Sequence, residues 1–317
     1  MLGTPFLFVN KRSISRKPNL DLIKKSNRLM VENTKKDITL PGILRGHTLN
    51  TNRKLMYSYL SGLLEGDGKI YVPKDIKGQP SISFALPTKD LPLFLLIQRD
   101  LKHGHIYKIK GKNAYQYIIS NLEGIVLIIK KINGLMRTKK IWNLYELIEF
   151  LDIKYPGKYN IKKLPLDNSD IKDNAWLAGF TESYGSFYIR VSKNKNSNTY
   201  KVHCKYELAQ SYDKNDYTFN IMKKISEFLL VDLKVKKGKL YWISTNSYKS
   251  NDILMEYFNK YSLYGSKYLD YLDWCKILKI VKDNKKNEKL EVIKNIKYNM
   301  NSSRTYLNWD HLNKFNL

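Results

Sequence analysis

Few side chains in this 317-residue sequence are placed to do covalent or metal chemistry, and the abundant ones point to phosphate. Lys and Arg total 56 against 29 Asp and Glu, a formal net charge of +27. A polyanion partner accounts for such an excess, because each cation near a phosphate releases condensed counterions. Without one, self-repulsion of this size opposes compact folding. The cations also alternate with apolar residues. Tyr188, Arg190 and Ser192, with Asn194 beyond, oppose Phe187, Ile189 and Val191. Lys201, His203 and Lys205 oppose Val202, Cys204 and Tyr206, and Lys234 and Lys236 oppose Leu233 and Val235. Lys69 and Tyr71 join this set from an earlier run. Period-two alternation marks half-buried antiparallel strands, and a basic, polar and aromatic outer face suits a platform laid in a nucleic-acid groove.

Other chemistries lack their residues. Cys204 and Cys275 have no paired spacing, so neither a disulfide framework nor a zinc site is expected. His103 and His105 form an isolated H-x-H that reads as a turn. No stretch reaches the roughly 18 apolar residues of a membrane span, and Leu91–Ile97 and Ile125–Ile129 suit core helices.

The elements that must carry the basic faces come in two similar sets. Leu55, Tyr59, Leu60, Leu63 and Leu64 recur at helical spacing and stop at Gly66-Asp67-Gly68. Strands are expected at 69–73 and 81–86, a helix at 91–101, strands at 105–110 and 114–120, and helices at 123–132 and 140–151. The order then repeats. A helix over 175–180 ends at Gly185, strands follow at 186–193 and 200–208, and a helix covers 218–229. Strands at 233–236 and 240–245 and helices at 251–261 and 267–281 close the second set. Pro156-Gly157 and Pro165 punctuate the junction. Residues 283–300 are rich in Lys and Asn, with only weak helical periodicity.

Each set opens on the same nine-residue pattern. Leu60-Ser61-Gly62-Leu63-Leu64-Glu65-Gly66-Asp67-Gly68 and Leu177-Ala178-Gly179-Phe180-Thr181-Glu182-Ser183-Tyr184-Gly185 lie 117 residues apart. Ser61, Gly62, Ala178 and Gly179 would let two helices pack nearly backbone to backbone. Both segments resemble the LAGLIDADG motif of homing endonucleases and intron maturases, and the resemblance runs over roughly residues 53–313. It is strongest toward two-motif proteins of fungal mitochondrial group I introns, those of cytochrome oxidase subunit 1 above all. Leu307-Asn308-Trp309-Asp310-His311-Leu312 also looks like their endings.

The resemblance implies an α+β fold. Two pseudo-symmetric αββαββα half-domains would form a saddle of antiparallel sheets, with the motif helices at their interface. It implies that the eighth motif position of each half delivers an acid to a divalent metal site, usually Mg²⁺, where hard oxygen ligands are suited. The first half has Asp67 there. The second has Tyr184, a neutral phenol with a pKa of about 10 and a poor Mg²⁺ ligand. Glu182, two positions back, is turned about 200° around the helix axis and should not replace it. The resemblance also implies a basic residue before the last helix of each half, matched by Lys139 and Lys267. A polar residue at the end of each second strand is matched well by Gln210 and weakly by Thr88.

The expected organisation is a basic extension or transit peptide at 1–52, a first half-domain at 53–155, a linker at 156–172, and a second half-domain with a helical extension at 173–317. The first 20 residues lack Asp and Glu and carry Lys11, Arg12, Arg16 and Lys17 among Ser13 and Ser15, as mitochondrial presequences do. The bias to 47 Lys over 9 Arg, with many Asn, Ile and Tyr, fits an AT-rich gene. The expected function is a monomeric mitochondrial matrix maturase that binds group I intron RNA and carries a degenerate endonuclease site. The alternatives are a Mg²⁺-dependent homing endonuclease or nickase acting on double-stranded DNA, and a non-catalytic mitochondrial RNA or ribosome-associated factor.

Overall fold

The computed structural model describes residues 47–213, 217–236 and 239–314. The expected N-terminal extension therefore lies outside the described residues up to position 46, the presequence-like stretch included. Helix α1 (His47–Asp67) leads into strands β1 (Gly68–Tyr71) and β2 (Ser81–Pro87), then helix α2 (Leu91–Leu101). Strands β3 (His105–Lys108) and β4 (Ala114–Ile119) follow, then helices α3 (Leu122–Ile132) and α4 (Ile141–Lys154). The second half repeats this order. It runs through α5 (Trp176–Tyr184), β5 (Gly185–Lys193), β6 (Tyr200–Ser211), α6 (Tyr217–Phe228), β7 (Lys234–Lys236), β8 (Leu240–Ser244), α7 (Tyr248–Lys260) and α8 (Lys267–Lys282). The two antiparallel sheets have matching strand orders, β1-β2-β4-β3 and β5-β6-β8-β7.

Alternation along the strands decides what each sheet buries. Ile82, Phe84 and Leu86 of β2 and Tyr117 and Ile119 of β4 turn inward with Leu93, Phe94 and Ile97 of α2. In the second half Phe187 lies 5.4 Å from the ring of Tyr271, 5.7 Å from Trp274 and 5.9 Å from Phe258. The opposite faces stay open, because apolar residues occupy alternate positions only.

The motif helices α1 and α5 cross where the sequence places its small residues. A Cβ on Gly62 would overlap the carbonyl of Trp176 and come within 2.8 Å of the Phe180 amide. A Cβ on Gly179 would overlap the carbonyl of Tyr59 and come within 2.8 Å of the Leu63 amide. The contacts interchange when one motif is laid on the other, as a pseudo-twofold axis requires.

The sixth motif positions brace this crossing. Glu65 is buried and accepts from the amides of Arg137 and Thr138, the Thr138 hydroxyl and the indole of Trp176. Glu182 accepts from the amides of Tyr264 and Gly265 at 2.7 and 2.8 Å and from the Tyr59 hydroxyl at 3.0 Å. Each glutamate thus holds the loop before the last helix of its own half and an aromatic donor of the other half. Burial raises both carboxyl pKa values, and the surrounding N–H donors pull them back down.

Residues 283–300 contain one further helix, α9 (Leu290–Tyr298), whose single buried residue is Ile293. One anchor explains the weak periodicity of its sequence. After it, Arg304 pairs with Asp270 at 2.8 Å and Asp273 at 2.6 Å. His311 stacks on Tyr268 at 4.3 Å, fixing the terminal segment on α8.

Candidate functional site

The last residues of the two motif helices are Asp67 and Tyr184. The Asp67 side chain is open to solvent, yet crowding around it raises its carboxyl pKa, an effect opposed by the Ser183 hydroxyl and then by Lys267 and Lys140. Tyr184 is 40% exposed, and its hydroxyl donates to the Gly66 carbonyl of the opposite motif at 3.3 Å. Its ring leans on Phe180, 5.1 Å away. Burial and then the nearby Asp67 carboxylate raise its pKa, so it stays a neutral phenol at neutral pH. Glu182 does not substitute for an acid at this place, since its Oε1 accepts from Tyr59, Tyr264 and Gly265 and ties the carboxylate to the loop before α8.

The cations sort differently from the sequence expectation. Lys267 does reach the end of its motif helix, donating to the carbonyls of Thr181 at 2.9 Å and Gly185 at 2.6 Å. Its counterpart in the first half is Lys140 rather than Lys139. Lys140 donates to the carbonyls of Leu64 at 2.9 Å, Gly66 at 3.3 Å and Gly68 at 2.7 Å. Both lysines bridge carbonyls at the junction of a motif helix and the strand that follows it, and burial lowers both pKa values. Lys139 is exposed and pairs with Asp213 at 3.6 Å. The error is one residue of register in the loop ahead of α4.

Gln210 lines a cavity of about 190 Å³ together with Tyr184, Lys139, Lys140 and Glu65. Its Nε2 is buried without a hydrogen-bond partner among the described residues. Thr88 is not brought there. Its hydroxyl accepts from Lys108 at 2.6 Å. What the first half contributes at this level is Asp90, which the sequence reading missed because an acid ahead of a helix looks like a cap. Asp90 makes no cap bond to α2 and instead accepts from the Ser266 amide beside Lys267.

The paired-acid metal site implied by the resemblance is not met by these donors. Asp67 can offer carboxylate oxygens to one hard cation. The opposite position offers a neutral phenol already bonded to a carbonyl. Among the described residues no group of three or more His, Cys, Asp or Glu side chains converges.

The open face of the second sheet is where the sequence put it. Cross-strand neighbours share a face, and Tyr188 pairs with Lys205, Arg190 with His203 and Ser192 with Lys201. Lys234 pairs with Trp242, and Lys236 lies 3.2 Å over the Trp242 ring. Trp242 is a further aromatic on this face that the sequence reading left out. One acid, Glu207, also lies there, opposite Ser186 and Ser244. Asn194 is a turn residue instead, bonding Thr199 across the β5–β6 hairpin. Burial and then Lys205, Arg190, Lys201 and Lys286 lower the pKa of His203, as expected of an imidazole among cations. The first sheet is poorer in charge. Lys69 and Tyr71 on β1 are exposed and close, with the ammonium 5.8 Å from the ring, and Tyr107 and Gln116 pair farther across.

Known proteins share this arrangement. A family model for LAGLIDADG endonucleases matches twice, at residues 60–151 and 177–278. The intron-encoded DNA endonuclease aI3 of Saccharomyces cerevisiae is 35% identical over 309 residues, taking in 84% of this chain and 74% of that protein. The intron-encoded RNA maturase bI4 of the same yeast is 27% identical over 205 residues, 63% of this chain but only 28% of its own length. The structure of the LAGLIDADG meganuclease I-AabMI bound to uncleaved DNA superposes with a TM-score of 0.64 at 26% identity, over 77% of this chain and 99% of that one. With two motif helices crossing at Gly62 and Gly179 and a four-stranded sheet in each half, the chain belongs to the LAGLIDADG endonuclease family.

Proposed function

We propose that this chain binds nucleic acid through its basic sheet faces and acts as a monomeric maturase for a mitochondrial group I intron, in the matrix, with a degenerate endonuclease site. Tyr184 carries the reading. A binding scaffold kept whole beside a site that has lost one of two acids is what selection for RNA binding, without selection for cleavage, leaves behind. The likeness to an intron-encoded RNA maturase supports it. Residual single-strand nicking of DNA is the second reading, favoured by Asp67, which is exposed and flanked by Lys140 and Lys267. Mg²⁺ would then sit at Asp67.

Purified protein should stimulate splicing of its precursor RNA, and Asp67→Asn should leave that stimulation unchanged. Joint replacement of Lys201, Lys205 and Lys234 by Glu should abolish it. Loss of stimulation with Asp67→Asn at unaltered RNA affinity would sink the maturase reading. Crosslinking in cells, followed by sequencing of the bound strand, names the physiological partner.

Arg190, Lys201, Lys205, Lys234 and Lys236 can each displace counterions. Affinity should therefore fall with salt on a log–log slope of roughly −5 or steeper, at about −0.9 per phosphate neutralised. A titration series with a slope near zero rules out this electrostatic mode.

A further inference from the structure

Strand β6 pairs with β5 from Tyr200 to Leu208, but with β8 only over Glu207–Ser211. Along the remainder its β8-side edge is met by the segment that starts α7. The Tyr206 amide donates to Thr245 Oγ1 at 2.9 Å, and the Asn251 amide group donates to the Cys204 carbonyl at 3.1 Å. A cavity of about 470 Å³ opens there. Leu278 and Val281 of α8 give it an apolar wall, and Tyr248, Lys201, His203 and Lys286 also line it. The volume falls within the roughly 300–1,000 Å³ of small-ligand sites.

Asn251 marks this cavity as built for a ligand. It is 2% exposed and lines the space. Because its nitrogen must face the Cys204 carbonyl, its Oδ1 is the free end, and that oxygen is buried with no partner among the described residues. A buried acceptor left unpaired carries its full desolvation penalty, so an N–H or O–H donor belongs there. Tyr248 stands at the mouth, 53% exposed, with the Lys282 ammonium over one side of its ring at 5.7 Å, which leaves the other side for a stacked ring. Lys201 and Lys286 add positive charge, and Lys201 and His203 belong at once to this cavity and to the basic sheet face. An N–H edge, a flat ring and a phosphate are together the chemistry of a nucleotide.

We propose that this cavity takes one unstacked nucleotide of the nucleic acid lying on the second sheet. Its base stacks on Tyr248 and donates from its Watson–Crick edge to Asn251 Oδ1, and its phosphate lies between Lys201 and Lys286. The proposal rests on the nucleic-acid-binding reading above and adds to it a preference for an extrahelical base. Stacking of a single base on an aromatic side chain tightens binding by about 5- to 150-fold.

The test uses the full chain and two RNA hairpins of equal length, one fully paired and one with a single bulged adenosine. The bulged hairpin should bind about tenfold tighter, within the range for one stacked base. Tyr248→Ala and Asn251→Leu should each remove that difference while leaving the paired hairpin's affinity unchanged. Tyr248 is a surface residue, so its variant reports even if Asn251→Leu fails to fold. Equal binding of the two hairpins by the wild-type chain overturns the pocket alone, as does a bulge preference that survives in Tyr248→Ala. No salt-sensitive binding of either hairpin overturns the pocket and the underlying reading together. Adenosine monophosphate alone should not bind at micromolar concentration, and if it does, the cavity belongs to a free nucleotide and the proposal falls.

Discussion

Wild-type protein incubated with Mg²⁺ and a supercoiled plasmid carrying the intronless target should yield no linear product at ordinary enzyme turnover. In the paired-acid site that the resemblance implies, cutting both strands calls for cation ligands at both eighth motif positions, and of the two residues there only Asp67 carries a carboxylate. Tyr184 is held as a neutral phenol by burial and by Asp67 itself, with its hydroxyl turned to the Gly66 carbonyl. Any nicked product should depend on Asp67. Loss of a group that merely supports a metal ligand costs roughly 10–100-fold. Removing the one carboxylate at an eighth motif position with Asp67→Asn should thus lower nicking by more than about 100-fold. Nucleic-acid affinity should not change, because the proposed binding surface is the sheet faces and excludes Asp67. Tyr184→Asp should restore part of the double-strand activity, since Gln210 and Lys140 already line the neighbouring cavity. Linear product from the unmodified chain would hand the first place to the endonuclease reading.

Gly62→Ala should destabilise the protein by about 3 kcal/mol or more, near the upper end for overpacked sites. The added methyl meets the carbonyl of Trp176, a backbone atom in the first turn of α5 that the packed helix crossing holds in place. Gly179→Ala meets the Tyr59 carbonyl in the same way and should cost a similar amount. Gly111→Ala is the informative contrast. It meets nothing within 4 Å but has φ +73°, so only the left-handed backbone penalty of about 1–2 kcal/mol applies. Urea midpoints of the three variants check the order. Equal losses at all three would mean that the helix crossing is looser than its geometry indicates.

How much of this could be read from sequence depended on the distance over which each signal acts. The crossing was legible because Gly62 and Gly179 sit in duplicated motifs, and small residues at a helix face have a local meaning. The second sheet face was legible because alternation is also local, and Trp242 was lost only for want of extending the same parity to β8. Glu65 was a different matter. On one helix it reads as an ordinary surface acid, and its partners lie 72 residues away at Arg137 and 111 away at Trp176. Asp90 carried a misleading local signal, since an acid ahead of a helix suggests a cap and this one reaches Ser266 in the other half. Lys139 and Lys140 are adjacent lysines in an irregular loop, where no periodicity distinguishes the inward from the outward one.

The bracing by Glu65 and Glu182 separates two properties that share nine residues of sequence. The sixth motif position ties the halves together with several buried bonds, whereas the eighth lies at the helix ends, where Asp67 is exposed and Tyr184 reaches across with a 3.3 Å bond to the Gly66 carbonyl. An exchange at the eighth position therefore breaks none of the bonds that Tyr59, Trp176 and the two loops make to the glutamates. A lineage can lose its cutting chemistry at that point in a single step, with its folding and its grip on nucleic acid intact. The sixth position has no such freedom, because replacing either glutamate strands several buried donors in both halves at once. Among descendants of such a protein, the eighth position should drift first and the sixth last.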